Sequence, residues 1–184
     1  SNVSRLQYKK KSIIDLWNKF ENVTISASLD SWGSRAEYIR EGTNWSTIEK
    51  NLLTIKEQCP HVKISFNTVV IIFNLCTLTD FLQYITAKGF NTNNGSLYNI
   101  VDPNYYSVSA MPQHLKNKAK SKIEDYMFNN PGRFSHQLKG VLRYIDNSQF
   151  DEKAYKLFQA KTYYYDKIRK RDFMETFPEL KSVF

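Results

Sequence analysis

Two strands that lie among helices yet carry a polar face most constrain what this chain can fold into. Asn22 to Trp45, NVTISASLDSWGSRAEYIREGTNW, reads as a strand, a sharp polar turn and a short helix. Val23, Ile25, Ala27 and Leu29 alternate with Thr24, Ser26, Ser28 and Asp30, which puts the two sets on opposite faces. Val62 to Val70, VKISFNTVV, repeats the pattern, with Val62, Ile64, Phe66 and Thr68 against Lys63, Ser65, Asn67 and Val69. A strand between helices is ordinarily parallel, buried on both faces and almost wholly apolar. Burying hydroxyls and carboxylates without partners costs ~1–3 kcal/mol each. The polar faces are therefore expected to share a wet or ligand-filled cavity. Ser28 and Asp30 should lie nearest its mouth, because parallel α/β folds bind ligands at the carboxyl ends of strands. The alternative is a pair of antiparallel strands with one face in solvent.

The flanking signals are helical. Ser34 with Glu37, and Ser46 with Glu49, match the S-x-x-E capping box, and Gly42 supplies a stop between them. Residues 1–11 are polar and basic and read as a lead-in loop. Ser12 and Asp15 then cap a helix striped by Ile13, Leu16, Trp17 and Phe20. Ile48, Leu52 and Ile55 stripe a helix from Thr47 to Gln58, ended by Pro60. Thr77 and Asp80 cap another, striped by Leu78, Phe81, Leu82 and Ile85 and closed at Lys88-Gly89. Asn91 to Gly95 is a polar loop, and Ser96 to Val101 a third strand stopped by Asp102-Pro103. Strands alternating with helices predict right-handed crossovers and a parallel sheet. Three strands do not close a barrel, which commonly takes eight. After Val108 only helical stripes follow: Leu115, Ala119, Ile123 and Tyr126 behind Pro112; then Phe134, Leu138, Val141, Leu142 and Ile145; then Tyr155, Phe158, Tyr165 and Ile168. The expected division is residues 1–110 as an α/β part and 111–184 as a helical extension.

Known catalytic spacings are missing: there is no P-loop, GxGxxG, HExxH or nucleophile elbow. Asp30 alone suggests an acceptor for a ligand hydroxyl. Arg40 can fork onto a carboxylate or phosphate, or pair with Glu37 three residues back. Asn74, which ends the apolar run after the second strand, is a turn residue or a ligand contact. His61, His114 and His136 stand apart from any second metal ligand. Cys59 and Cys76 form no CxxC or CxxxCxxC, so the chain cannot hold a zinc or iron–sulfur site by itself. Two unpatterned cysteines fit a reducing, cytoplasmic setting. No apolar run reaches the ~18–20 residues of a membrane span, and no signal-peptide pattern opens the chain. The formal net charge is +8, concentrated in Lys9–Lys11, Lys116–Lys122 and Lys161–Arg171. Such charge is either solvated and scattered or an anion-binding surface.

The segment ISASLDSWGSRAEYIREGTNW resembles the middle of the twitch domain-containing radical S-adenosylmethionine (SAM) proteins, through Ser28, Asp30, Glu37, Tyr38, Ile39, Arg40, Gly42 and Trp45. Thr68 to Asn74, Asp102-Pro103, Tyr106-Ser107, Met111-Pro112, Asp166 to Arg169, Asp172-Phe173 and Phe177 to Leu180 are similar to later parts of that family, in order. The resemblance implies the second half of a partial (β/α)6 barrel, strands four to six, followed by helices. It implies that Ser28 and Asp30 help bind SAM and that Arg40 contacts SAM or steadies the loop beside it. Asn67, Thr68 and Asn74 become further pocket residues. The family's CxxxCxxC, which holds the [4Fe-4S] cluster that cleaves SAM to a 5′-deoxyadenosyl radical, belongs to the first half and is missing from this sequence. With Ser rather than Met at position 1, the expectation is a fragment of a longer enzyme, inactive alone, that needs the missing N-terminal half as partner. Two other readings remain open. One is a non-enzymatic basic α/β module binding nucleic acid or another anion; the other is an unrelated sugar- or nucleotide-binding half-barrel.

Overall fold

The computed structural model describes residues 2–90, 95–100, 102–132 and 134–184. Most of the expected loop from Asn91, and the expected strand end at Val101, lie outside the described residues. The lead-in is not a plain loop. β1 (Gln7–Tyr8) and β2 (Lys11–Ser12) pair as a small antiparallel hairpin. α1 (Ile13–Trp17) follows, capped as expected by Ser12 Oγ accepting from Asp15 N at 3.1 Å. Its apolar stripe is not the expected one: Ile14 is buried, while Leu16 and Phe20 are exposed. The helix is too short for a stripe spaced over two turns to reach a core.

Next come β3 (Thr24–Ser28), α2 (Gly33–Ile39), α3 (Trp45–Gln58), β4 (Lys63–Val70), α4 (Leu78–Ala87) and β5 (Ser96–Asn99). The three strands form a parallel sheet in the order β3-β4-β5. The antiparallel alternative is excluded, and no barrel is closed. Neighbours in space are neighbours in sequence, so two crossovers of the same hand carry α2–α3 and α4 to the same face. They sit side by side there. The Tyr84 hydroxyl of α4 donates to Glu49 Oε1 of α3 at 2.5 Å, and the Trp32 indole stacks on Phe81 and Tyr84. Beneath them lie the buried apolar residues Ile25, Ala27, Phe66 and Val70. The predicted stripes of α3 and α4 (Ile48, Leu52, Ile55; Leu78, Phe81, Leu82, Ile85) are all buried. Thr77 precedes α4 as predicted, without a side-chain cap bond, but the two predicted capping boxes are not formed. Trp32 precedes α2 without a side-chain cap, and Asn44, not Ser46, caps α3 by accepting from Thr47 N at 2.8 Å. The helix starts at Trp45, so Asn44 is the residue just outside the first turn and Ser46 already lies within it.

The rest is helical: α5 (Gln113–Asn129), α6 (Ser135–Asn147), α7 (Glu152–Arg169) and the short α8 (Phe173–Thr176). Pro112 is the residue before α5 rather than its first. The α5 stripe is buried as predicted. On α7 the buried line is Ala154, Phe158 and Thr162, and Ile168 is exposed. Lys116 of α5 is fully buried, and its Nζ donates to Ser148 O at 2.7 Å, tying the end of α6 to α5. Burial lowers its pKa. α6 lies along β5, with Gln137 Nε2 and Tyr144 Oη donating to the carbonyls of Gly95 and Ile100. No helix among the described residues is long and apolar enough to cross a membrane.

Candidate functional site

The carboxyl end of the sheet is a closed hydrogen-bond frame. Leu29 N donates to Asn67 O at 3.1 Å, and Thr68 Oγ1 donates to Leu29 O at 2.7 Å. Val69 N, the next donor of β4, finds a side chain instead of a strand: Asp30 Oδ1 accepts from it at 2.9 Å. The other carboxylate oxygen, Oδ2, accepts from Arg40 Nε at 2.7 Å and lies 2.7 Å from Arg40 Nη2. Asn74 is 1% exposed, with its whole amide in use. Its Oδ1 accepts from Ile71 N at 2.9 Å, and its Nδ2 donates to Asp30 O at 2.9 Å and to Val69 O at 2.8 Å. β3 stops pairing here because Asp30 replaces backbone with carboxylate.

Four of the six expected ligand residues, Asp30, Arg40, Thr68 and Asn74, thus make internal hydrogen bonds. Asp30 is not at the mouth of the polar face; it turns under α2 and holds Arg40. Arg40 pairs with Asp30 rather than with Glu37. Glu37 Oε1 accepts from Trp45 N at 2.9 Å. Thr68 lies on the apolar face and Asn74 in the turn, both buried.

The C-terminal segment locks α2 from outside. Arg35 forks onto Glu179, with one arm at 2.9 Å, and the Tyr38 hydroxyl donates to Asp166 Oδ1 at 2.7 Å. Asp166 Oδ2 also accepts from Phe173 N at 2.9 Å. Arg169 stands 3.4 Å from Glu41. Asp166 and Glu179 lie in segments quoted for the family resemblance, but their pairing with Tyr38 and Arg35 was not legible, since nothing local marks partners 128 and 144 positions apart. Burial and the neighbouring Asp166 carboxylate push the Tyr38 phenol far above its ordinary pKa; burial pushes Tyr106 up to about 12. A phenol ordinarily ionises near ~10. The unfolded chain therefore releases these protons first, so stability falls as pH rises above ~10. Each group adds at most ~1.4 kcal/mol of loss per pH unit. Urea midpoints taken between about pH 8 and 11 should fall less steeply for Tyr38→Phe than for the parent chain.

What remains available is the polar face. Parallel register sets Thr24 beside Lys63, Ser26 beside Ser65, and Ser28 beside Asn67 and then Ser96. Residues in register share a face, so the two polar strand faces read from the sequence do merge into one. It opens to solvent rather than enclosing a cavity. Thr24, Ser26 and Tyr98 are exposed, while Ser28, Asn67 and Ser96 are half-buried. Ser65 is 8% exposed, and its Oγ lies 3.3 Å from Ile25 O and 3.2 Å from Ser26 Oγ. The Ser28 hydroxyl and the Asn67 amide have no hydrogen bond to a described residue. They lie nearest the strands' carboxyl ends. In the turn just beyond, the Ser31 hydroxyl is buried and unpartnered among the described residues. Such a row can present hydroxyl and amide groups to a polar ligand; it holds no acid–base pair.

No metal-binding group of three His, Cys, Asp or Glu occurs among the described residues. Cys59 and Cys76 are both free and buried. Their thiols lie 3.8 and 3.9 Å from the carbonyls of Ile14 and Leu115. Burial raises both pKa values, Cys76 to about 11, which opposes the thiolate form that metals require. No protein-family model, curated protein or solved structure matches this chain.

Proposed function

We propose that this chain is one wall of a larger barrel, the second half of a partial (β/α)6 barrel of the radical SAM type, and that its polar sheet face looks onto SAM and a substrate. The observation that carries this reading is the in-register polar row on a singly wound parallel sheet. Doubly wound sheets place helices on both faces, whereas a barrel places them outside and leaves the inner face to side chains and ligands. Ser28 and Asn67 offer a hydroxyl and an amide where ligands of such folds bind. These groups suit the ribose hydroxyls and the amino-acid end of SAM. When bound, SAM supplies the sulfonium chemistry of the family. Asp30, Arg40, Thr68 and Asn74 position the strand ends on which Ser28 and Asn67 stand.

The [4Fe-4S] cluster of that family does not fit this chain. Two buried, protonated thiols on separate elements cannot replace three clustered thiolates. The cluster's ligands would come from the other half of the barrel, and no reaction step is assigned to residues here. The test is a SAM titration of the full chain followed by amide NMR. The reading predicts shifts centred on Ser28, Asn67 and Ser96. Shifts confined elsewhere, or no shifts at millimolar SAM in a folded sample, would overturn it.

A further inference from the structure

The three basic stretches of the sequence end up in different states. In the α5 stretch Lys116 is buried, Lys120 pairs with Asp146 and Lys122 with Asp80, and Lys118 is exposed without an ion pair to a described residue. Between Lys161 and Arg171, Arg169 pairs with Glu41 and Arg171 stands 3.9 Å from Glu37, while Lys161, Lys167 and Lys170 have no ion pair with a described residue. The first stretch differs in that none of its cations is buried or paired with a described residue. Arg5, Lys9, Lys10 and Lys11 are all exposed, and none has an ion pair with a described residue. Lys9, Lys10 and Lys11 are carried on the β1–β2 hairpin, with Arg5 just ahead of it, and its turn has Lys9 at a φ of 54°. Tyr8, 68% exposed, presents its ring beside them, with Lys9 Nζ 5.7 Å from the ring centroid.

Next to the hairpin is an open hollow of about 560 Å³. Arg5 and Lys9 line it together with the polar side chains of Ser4, Gln7, Thr47 and Asn51, and no carboxylate of the described residues does. Lys50 is exposed on the same turns of α3 as Thr47 and Asn51. Cations without internal partners, hydrogen-bond donors around an acid-free hollow and an exposed aromatic ring form one surface. They complement a chain of phosphates with unstacked bases.

We infer that the β1–β2 hairpin and the hollow beside it bind the backbone of single-stranded nucleic acid. Lys9, Lys10, Lys11 and Arg5 neutralise phosphates, and Tyr8 offers a stacking face. The surface is separate from the polar sheet face and does not depend on the SAM reading.

The test uses the full chain and a fluorescently labelled single strand of about 15 nucleotides, with anisotropy read across a salt series. Lys9→Glu/Lys10→Glu/Lys11→Glu is compared with Lys118→Glu/Lys139→Glu/Arg143→Glu, which removes the same charge from exposed positions on α5 and α6. Unchanged urea midpoints establish that both variants fold. Losing about three contacts at ~0.7 per phosphate should lower the log–log salt slope by about two and weaken binding at least tenfold. The control should keep the parent slope. Equal losses in both variants would mean that binding follows net charge alone and would overturn the inference. So would no binding by the parent chain, or binding of phosphatidylserine vesicles but not of the oligonucleotide.

Discussion

Phe73→Ala is expected to cost about 3–5 kcal/mol of folding stability, the range for removing a large aromatic side chain from a packed interior. Phe73 is 4% exposed, and five rings surround it: Tyr38 at 5.6 Å, Tyr106 at 5.2 Å, Phe158 at 5.2 Å, Phe173 at 6.0 Å and Phe177 at 5.3 Å between centroids. These rings come from α2, the turn after β5, α7, α8 and the segment after α8. Phe73 itself follows β4. Losing it opens a void at the one place where the sheet end, α2 and the C-terminal helices all meet. Ring pairs at ~4.5–7 Å in offset or edge-to-face arrangements add ~0.5–1.5 kcal/mol each beyond buried area, so the loss should lie toward the upper end. With a urea m-value of ~2 kcal/mol/M, the midpoint should drop by about 1.5–2.5 M. A drop of less than about 0.5 M would mean that the aromatic cluster does not join these parts.

The second large effect belongs to Asn74. Asn74→Ala removes an acceptor and two donor contacts at a fully buried site, stranding Ile71 N and the carbonyls of Asp30 and Val69. Each stranded buried group costs ~1–3 kcal/mol, partly relieved where water can enter, so a loss of about 3 kcal/mol is expected. Asn74→Asp separates the contributions. Its oxygen still accepts from Ile71 N, but a second oxygen then faces two carbonyls. The Ile71 amide should therefore exchange rapidly with solvent in the alanine variant and stay protected in the aspartate variant, although both are destabilised. A loss below about 1 kcal/mol for Asn74→Ala would show that the frame at the strand ends holds without it.

The sheet was legible because its signal is local and periodic. Alternation over Val23–Leu29 and Val62–Val70, with helical stripes between, gave parallel strands and buried α3 and α4 faces correctly. What was not legible depends on partners far apart in sequence. Asp30 looked like a ligand group because it lacked an obvious local partner, and the local partner the sequence offered Arg40, Glu37, is not the one it takes. In the fold they satisfy each other and Val69 N. Tyr38, in the stretch that carries the family resemblance, binds Asp166 across 128 positions. The α1 stripe failed because a five-residue helix cannot bury a pattern spaced over two turns. The basic stretches read alike in sequence, and only burial and pairing set the hairpin apart.

The central claim is that the polar face exists for a ligand and the frame beside it for the fold. The most direct measurement is the SAM affinity of Ser28→Ala/Asn67→Leu, taken with its unfolding free energy. Half-exposed side chains without internal hydrogen bonds should leave stability within ~0.5 kcal/mol of the parent chain. The account predicts that unchanged stability together with at least tenfold weaker SAM binding. Parent-like affinity in the folded double variant, or a stability loss above about 2 kcal/mol, would contradict it.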